Sequence, residues 1–177
     1  MVEAGPGAGF ASNVSGVGQK SVQYVAVSEE PEFGFIERFV ADAFAVIEHP
    51  MAPGILGAPI HTHSREDELS YIVYGTVQAQ VGDRVITAGP RDVIWKPRGV
   101  PHAFWNPGPE RALVLELIVP GGFEKYFREL EPLLRASPGG RPDGTVLGEL
   151  QARYGLEMDP TSIPVLGERH HVRPPRM

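Results

Sequence analysis

An all-β architecture is what these 177 residues predict, on three observations. Segments with the two-residue alternation of a half-buried strand recur roughly every 8–12 residues between Ser21 and Pro120, the spacing of a sandwich or barrel. Glycine (21) and proline (18) are plentiful, as short elements joined by tight turns require. The 3–4 spacing of an amphipathic helix appears only after "PGG" at 120–122.

The elements follow in order. Residues 1–20 are rich in Gly, Ala and Ser and read as a flexible N-terminal arm, with pairing to a partner subunit as the alternative. "SVQYVAV" (21–27), "FIERFV" (35–40) and "AFAVIEH" (43–49) read as strands. "LSYIVYG" (69–75) runs into "TVQAQVGDRVITAG" (76–89). There Val77, Ala79 and Val81 share one face while Thr76, Gln78 and Gln80 share the other. Gly82-Asp83 supplies the hairpin tip. "DVIWKP" (92–97) and "RALVLELIV" (111–119) complete the set, so 21–120 reads as one sandwich or barrel. Residues 121–177 are an appendage. A helix is expected over 123–136, packed outside with its apolar stripe buried rather than acting as a lid. A second is expected over 145–155, ended by Gly155, and then an extended proline-rich tail.

Composition bounds the function. With 42% hydrophobic and 21% charged residues, the chain is an ordinary globular protein. Sixteen basic against 22 acidic residues give a net charge of −6 with no basic stretch, so no nucleic-acid partner is expected. Without cysteine there is no disulfide framework, and any metal must sit on His and carboxylate. "MVEAGPGAGF" lacks the pattern of a secretory signal, and no apolar run approaches the ~20 residues of a membrane span. The expectation is a cytoplasmic protein away from the membrane.

The chemistry concentrates in "PIHTHSREDELSYIVYG" (59–75). Residues i and i+2 of a strand face the same way, so His61 and His63 project to one side. Glu68 follows at an odd offset. It shares that face only if the chain turns at the polar "SRED", which is expected to be solvated. A shifted register with Glu66 as the acidic partner is the alternative. Beyond Glu68, Ser70 and Ile72 face inward. In "WKPRGVPHAFWN" (95–106), His102 opens a strand and Phe104 and Asn106 share its face. Trp95 and Trp105 fall on the opposite faces and read as barrel core. Three imidazoles and one carboxylate suit one divalent transition metal (Fe, Mn, Ni, Co, Cu or Zn) rather than Mg or Ca. His49, His170 and His171 read as exposed. Glu116, mid-strand, reads as paired with an arginine on the outer face, with a place in the cavity as the alternative.

"HTHSREDELSYIVYG" and "PRGVPHAFWN", about thirty residues apart, resemble the two motifs of the cupin superfamily, HxH–four–Glu–six–Gly and PxGxxHxxxN. The resemblance implies a small jelly-roll β-barrel with a metal held by His61, His63, Glu68 and His102. Ile55 and Arg91 stand where the motifs usually open with glycine; Gly54 and Gly89 are the nearby candidates for the turns. Ser70 replaces a commonly bulky residue and leaves room beside the metal. "VPGGFEKYFREL" is similar to the segment after the barrel in cupins resembling bacterial quercetinase. That similarity implies a metal-dependent dioxygenase of a small enol- or phenol-bearing substrate, with Glu68 also able to take the substrate's proton and Ser70, Ile72 and Phe104 lining the pocket. Other metal-dependent chemistry, such as an isomerase or decarboxylase, and non-catalytic ligand binding remain open on the same scaffold. A homodimer is expected, since jelly-roll edges need cover.

Overall fold

The computed structural model describes the backbone of residues 24–25 together with residues 32–137 and 142–175. The N-terminal arm, most of the expected 21–27 strand and the middle of the 137–144 loop lie outside them.

Eleven strands form two antiparallel sheets among the described residues. They are β1 Tyr24–Val25, β2 Phe35–Val40, β3 Ala45–Met51, β4 Ile60–His63, β5 Asp67–Tyr74, β6 Val77–Val81, β7 Arg84–Ala88, β8 Val93–Lys96, β9 His102–Trp105, β10 Ala112–Val119 and β11 Leu156–Asp159. One sheet runs β1-β2-β3-β10-β5-β8 and the other β11-β4-β9-β6-β7, the two halves of a jelly roll. Three helices follow the barrel strands: α1 Glu124–Ala136, α2 Gly144–Arg153 and α3 Ser162–His170. None is long and apolar enough to cross a membrane.

Strand alternation builds the interior. β3 turns Ala45, Ile47, His49 and Met51 inward, and β10 turns Ala112, Val114, Glu116 and Ile118 inward. Across one end, Met51, Ile72, Ala79, Ile94, Phe104 and Val114 pack into a continuous core. Toward the other end the inward positions become polar. Glu68 pairs with Lys96 and Ile118, and Ser70 pairs with Ile94 and Glu116, so neighbouring strands bring their polar inward residues together. Phe123, Tyr126, Leu150 and Leu156 close that end with Ile47 and Ile118.

Two turns bear on the motifs. Gly75 has φ +80°, and a Cβ there would lie 2.6 Å from Ala112 Cα, so the last motif position admits only glycine. Arg91, where glycine is usual, itself takes φ 76°, and Gly89 does not take over the turn. The backbone keeps the left-handed conformation and the side chain bears its cost.

The appendage departs from expectation. α1 does bury an apolar stripe, but over the barrel mouth, where Phe123, Tyr126, Phe127 and Leu130 wall the cavity described below. It is therefore a cover rather than an external brace. The tail is not extended: α3 forms in it, and Pro164 sits in the first turn, where a missing N–H costs no intrahelical bond. β11 was not evident as a strand; it adds to the edge of the second sheet by pairing with β4.

Candidate metal centre

His61 and His63 leave β4 on the same side, as the two-residue spacing requires, and both are buried. Antiparallel pairing sets His61 directly opposite His102 of β9. The chain turns at Ser64-Arg65, and Glu68 re-enters on β5 facing back inward. One donor atom from each of His61, His63, Glu68 and His102 lies within 4.8 Å of the others. Glu66 is not part of this set. Nor is it solvated: it is buried, with Oε2 3.6 Å from His63 Nδ1, too far for a hydrogen bond.

The imidazoles are oriented from behind. Nδ1 of His61 lies 2.8 Å from the Pro59 carbonyl and Nδ1 of His102 lies 2.9 Å from that of Val100. A ring nitrogen facing a carbonyl must carry the proton, so each Nε2 keeps its lone pair. Burial pushes His61 well below the ordinary histidine range, helped by the neighbouring His102 and His63, and burial also lowers His102. Both rings are thus neutral, the form that ligates. Neither ring nitrogen of His63 has a hydrogen-bond partner among the described residues. Buried orphan donors are rare. Together with the neutral Nε2 atoms and the Glu68 carboxylate, they fit a divalent transition ion.

A second polar group sits beside this cluster. Lys96, 1% exposed, places Nζ 2.8 Å from Glu68 Oε2 and 2.8 Å from Glu116 Oε2. Ser70 donates to the same Glu116 oxygen at 2.7 Å. Burial would raise the Glu68 carboxyl, but the Lys96 ammonium foremost holds it well below the usual carboxylate range. Burial wins at Glu116, pushed up to about 7. Burial would lower Lys96, but its two carboxylates raise it, so it stays charged. Glu116 therefore faces the interior and pairs with a lysine; the outward arginine partner expected for it is not what the β10 register provides.

The cluster opens into a cavity of about 770 Å³ with mostly apolar walls. Phe33, Phe35, Phe104, Phe123 and Phe127 supply rings; His49, Lys96 and Glu116 are polar exceptions. Phe104 thus stands on the cavity wall. Ser70 and Ile72 face inward but do not line it: Ser70 lies against Glu116, and Ile72 is in the core below. His49 is buried rather than exposed, stacked on Phe33 with Nδ1 3.0 Å from the Gly34 carbonyl; burial lowers it to about 4. Trp95 and Trp105 point away from the site. Trp105 is core beneath α3, with the tilted ring of a half-buried His170 against it, whereas Trp95 is 50% exposed and so not core. The sequence did hold a signal for Lys96, because a strand that turns Trp95 outward must turn Lys96 inward.

Residues 48–119 match the family described as Cupin domain. That match spans β10, β5 and the whole of the four-donor cluster, and the two-sheet jelly roll above is in keeping with it. Among solved structures it is similar to TT1209 from Thermus thermophilus, at 25% identity over 50% of this chain and 84% of that one, with a TM-score of 0.48. KdgF from Halomonas sp. is 19% identical over 60% of this chain and 91% of that one, TM-score 0.49. The DMSP lyase DddQ from Ruegeria pomeroyi is 21% identical over 55% of this chain and 56% of that one, TM-score 0.47. No curated protein sequence matches the chain.

Proposed function

We propose that this cupin is a metal-dependent enzyme acting on a small enol- or phenol-bearing, quercetin-like molecule, and that the reaction is dioxygenation. The observation that carries the reading is a buried three-histidine, one-glutamate cluster opening into a large cavity walled by aromatic rings. His61, His63, Glu68 and His102 would hold one divalent transition ion. When bound, the ion would supply positive charge that favours the ionised form of a substrate hydroxyl. Phe33, Phe104 and Phe123 would stack on a planar substrate and exclude water. Glu68 is assigned a second role, taking the hydroxyl proton. Because Lys96 makes Glu68 a weak base, that role requires an acidic hydroxyl, which enols and phenols provide.

A second reading, an oxygen-independent isomerase or decarboxylase, draws support from the Lys96–Glu116–Ser70 network, a proton-holding group on the cavity wall. The test begins with elemental analysis of protein purified without a nickel resin. Oxygen uptake is then measured with flavonols and other enolisable compounds. Stoichiometric bound metal, absent in His63→Ala, with oxygen consumption supports the first reading. No uptake across the panel by metal-loaded protein rejects dioxygenation, and turnover under anaerobic conditions selects the second.

A further inference from the structure

Glu68, Lys96 and Glu116 are three buried titratable side chains, two acidic and one basic. An ion pair serving structure alone would need one carboxylate for one ammonium. The second carboxylate brings a desolvation cost that Lys96 offsets only in part. Its two oxygens are unequal. Oε2 receives both Lys96 Nζ at 2.8 Å and the Ser70 hydroxyl at 2.7 Å. Oε1 is buried with no hydrogen-bond partner among the described residues, and Glu116 lies on the cavity wall. An unpartnered oxygen of a buried carboxylate is costly unless something in the cavity donates to it. The neighbouring polar groups are committed elsewhere: His49 is stacked on Phe33 with Nδ1 at the Gly34 carbonyl, and Lys96 is held between the two carboxylates. Because one ammonium lies 2.8 Å from both Glu68 and Glu116, the unfilled acceptor sits close beside the four-donor cluster.

We propose that Glu116 is a substrate-contacting residue whose Oε1 accepts a hydrogen bond from a hydroxyl adjacent to the oxygen held at the four-donor cluster. The substrate class narrows accordingly to molecules with two neighbouring oxygen functions, one of them a hydroxyl free to donate. Lys96 is a positioning residue that sets the spacing between the two carboxylates. The inference rests on the reading of the site as one that binds an enol or phenol.

The test is calorimetric binding of 2-naphthol and naphthalene-2,3-diol to Zn²⁺-loaded protein, where redox chemistry is silent. Wild type is expected to bind the diol at least about 10-fold more tightly, the value of one hydrogen bond to a charged acceptor. Glu116→Gln is expected to abolish that preference while leaving 2-naphthol within about 2-fold, which also reports that the fold and centre are intact. Should Glu116→Gln lose 2-naphthol as well, Glu116→Asp keeps a charge beside Lys96 but shortens the reach, and the same loss of preference is expected. A diol preference that survives in these variants would show that the metal alone chelates both oxygens, and the inference fails. Equal binding of the two compounds by wild type overturns it too. If 2-naphthol does not bind wild type at all, the reading of the site fails, and this inference with it.

Discussion

Replacing Lys96 by methionine removes the one cation between two buried carboxylates. In the metal-free protein Glu68, 4% exposed, is then left without its ammonium, while Glu116, 1% exposed and already pushed up to about 7 beside Lys96, takes a proton. Methionine matches the lysine stem, so lost packing is a minor part of the effect. Breaking a buried ion pair from one side costs about 3–5 kcal/mol, because the stranded charge stays desolvated. For a chain of this size, each kcal/mol is worth roughly 2–4 °C, so the melting temperature should fall by about 6–20 °C. Because Glu116 is then protonated, adding Glu116→Gln swaps one neutral polar group for another and should change the loss by less than about 1 kcal/mol. Urea unfolding at pH 7 after chelation, on wild type, both single variants and the double variant, closes the cycle. The reasoning is refuted if Lys96→Met costs less than about 1 kcal/mol, or if adding Glu116→Gln changes the loss by more than about 1 kcal/mol in either direction.

Three further outcomes are expected. His49, lowered by burial from 6.5 to about 4, is neutral in the fold, so its contribution is complete above pH 6.5 and is lost as pH falls from there toward 4. The loss is about 1.4 kcal/mol per pH unit and roughly 3 kcal/mol in all, and His49→Gln should flatten the acid limb of the stability profile by that amount; an unchanged limb counts against it. Arg91 is exposed at φ 76°, and Arg91→Gly should relieve its strain and stabilise by about 0.5–1 kcal/mol in the same unfolding assay, whereas destabilisation would mean the side chain makes a contact worth more than the strain. Trp95, Val93 and Tyr71 stand exposed on the outer face near β8, which ends its sheet, and we propose that a second copy covers them. Light scattering should then give twice the chain mass for wild type and the chain mass for Trp95→Glu, and a monomeric wild type would disprove the pairing.

Much of the site was legible because its rules are local. Two histidines two apart share a strand face whatever the rest of the chain does. A polar turn before Glu68 corrects its odd offset, and alternation places Phe104 inward and both tryptophans outward. The barrel strands from β2 to β10 could be marked from the same alternation and from the turns between them, with ends shifted by one or two residues. What local rules cannot supply is which strands become neighbours. The β8, β5, β10, β3 order sets Lys96 beside Glu68, Glu116 beside Ser70 and His49 within the same interior, although Glu116 and His49 read as outward-facing in a sequence window. Glu66 looked solvated for the same reason, since only the fold buries it beside His63.

The sequence by itself determined the all-β class through strand alternation, and its resemblance to the two cupin motifs implied the jelly roll and the four candidate ligands, because both signals act over a few residues. Only the tertiary structure decided the charge beside those ligands, the helix that roofs the cavity and the unpartnered oxygen of Glu116. Those depend on contacts between segments far apart in the chain, such as Ser70 with Glu116 and Glu116 opposite Ile47, and on burial that no single segment encodes.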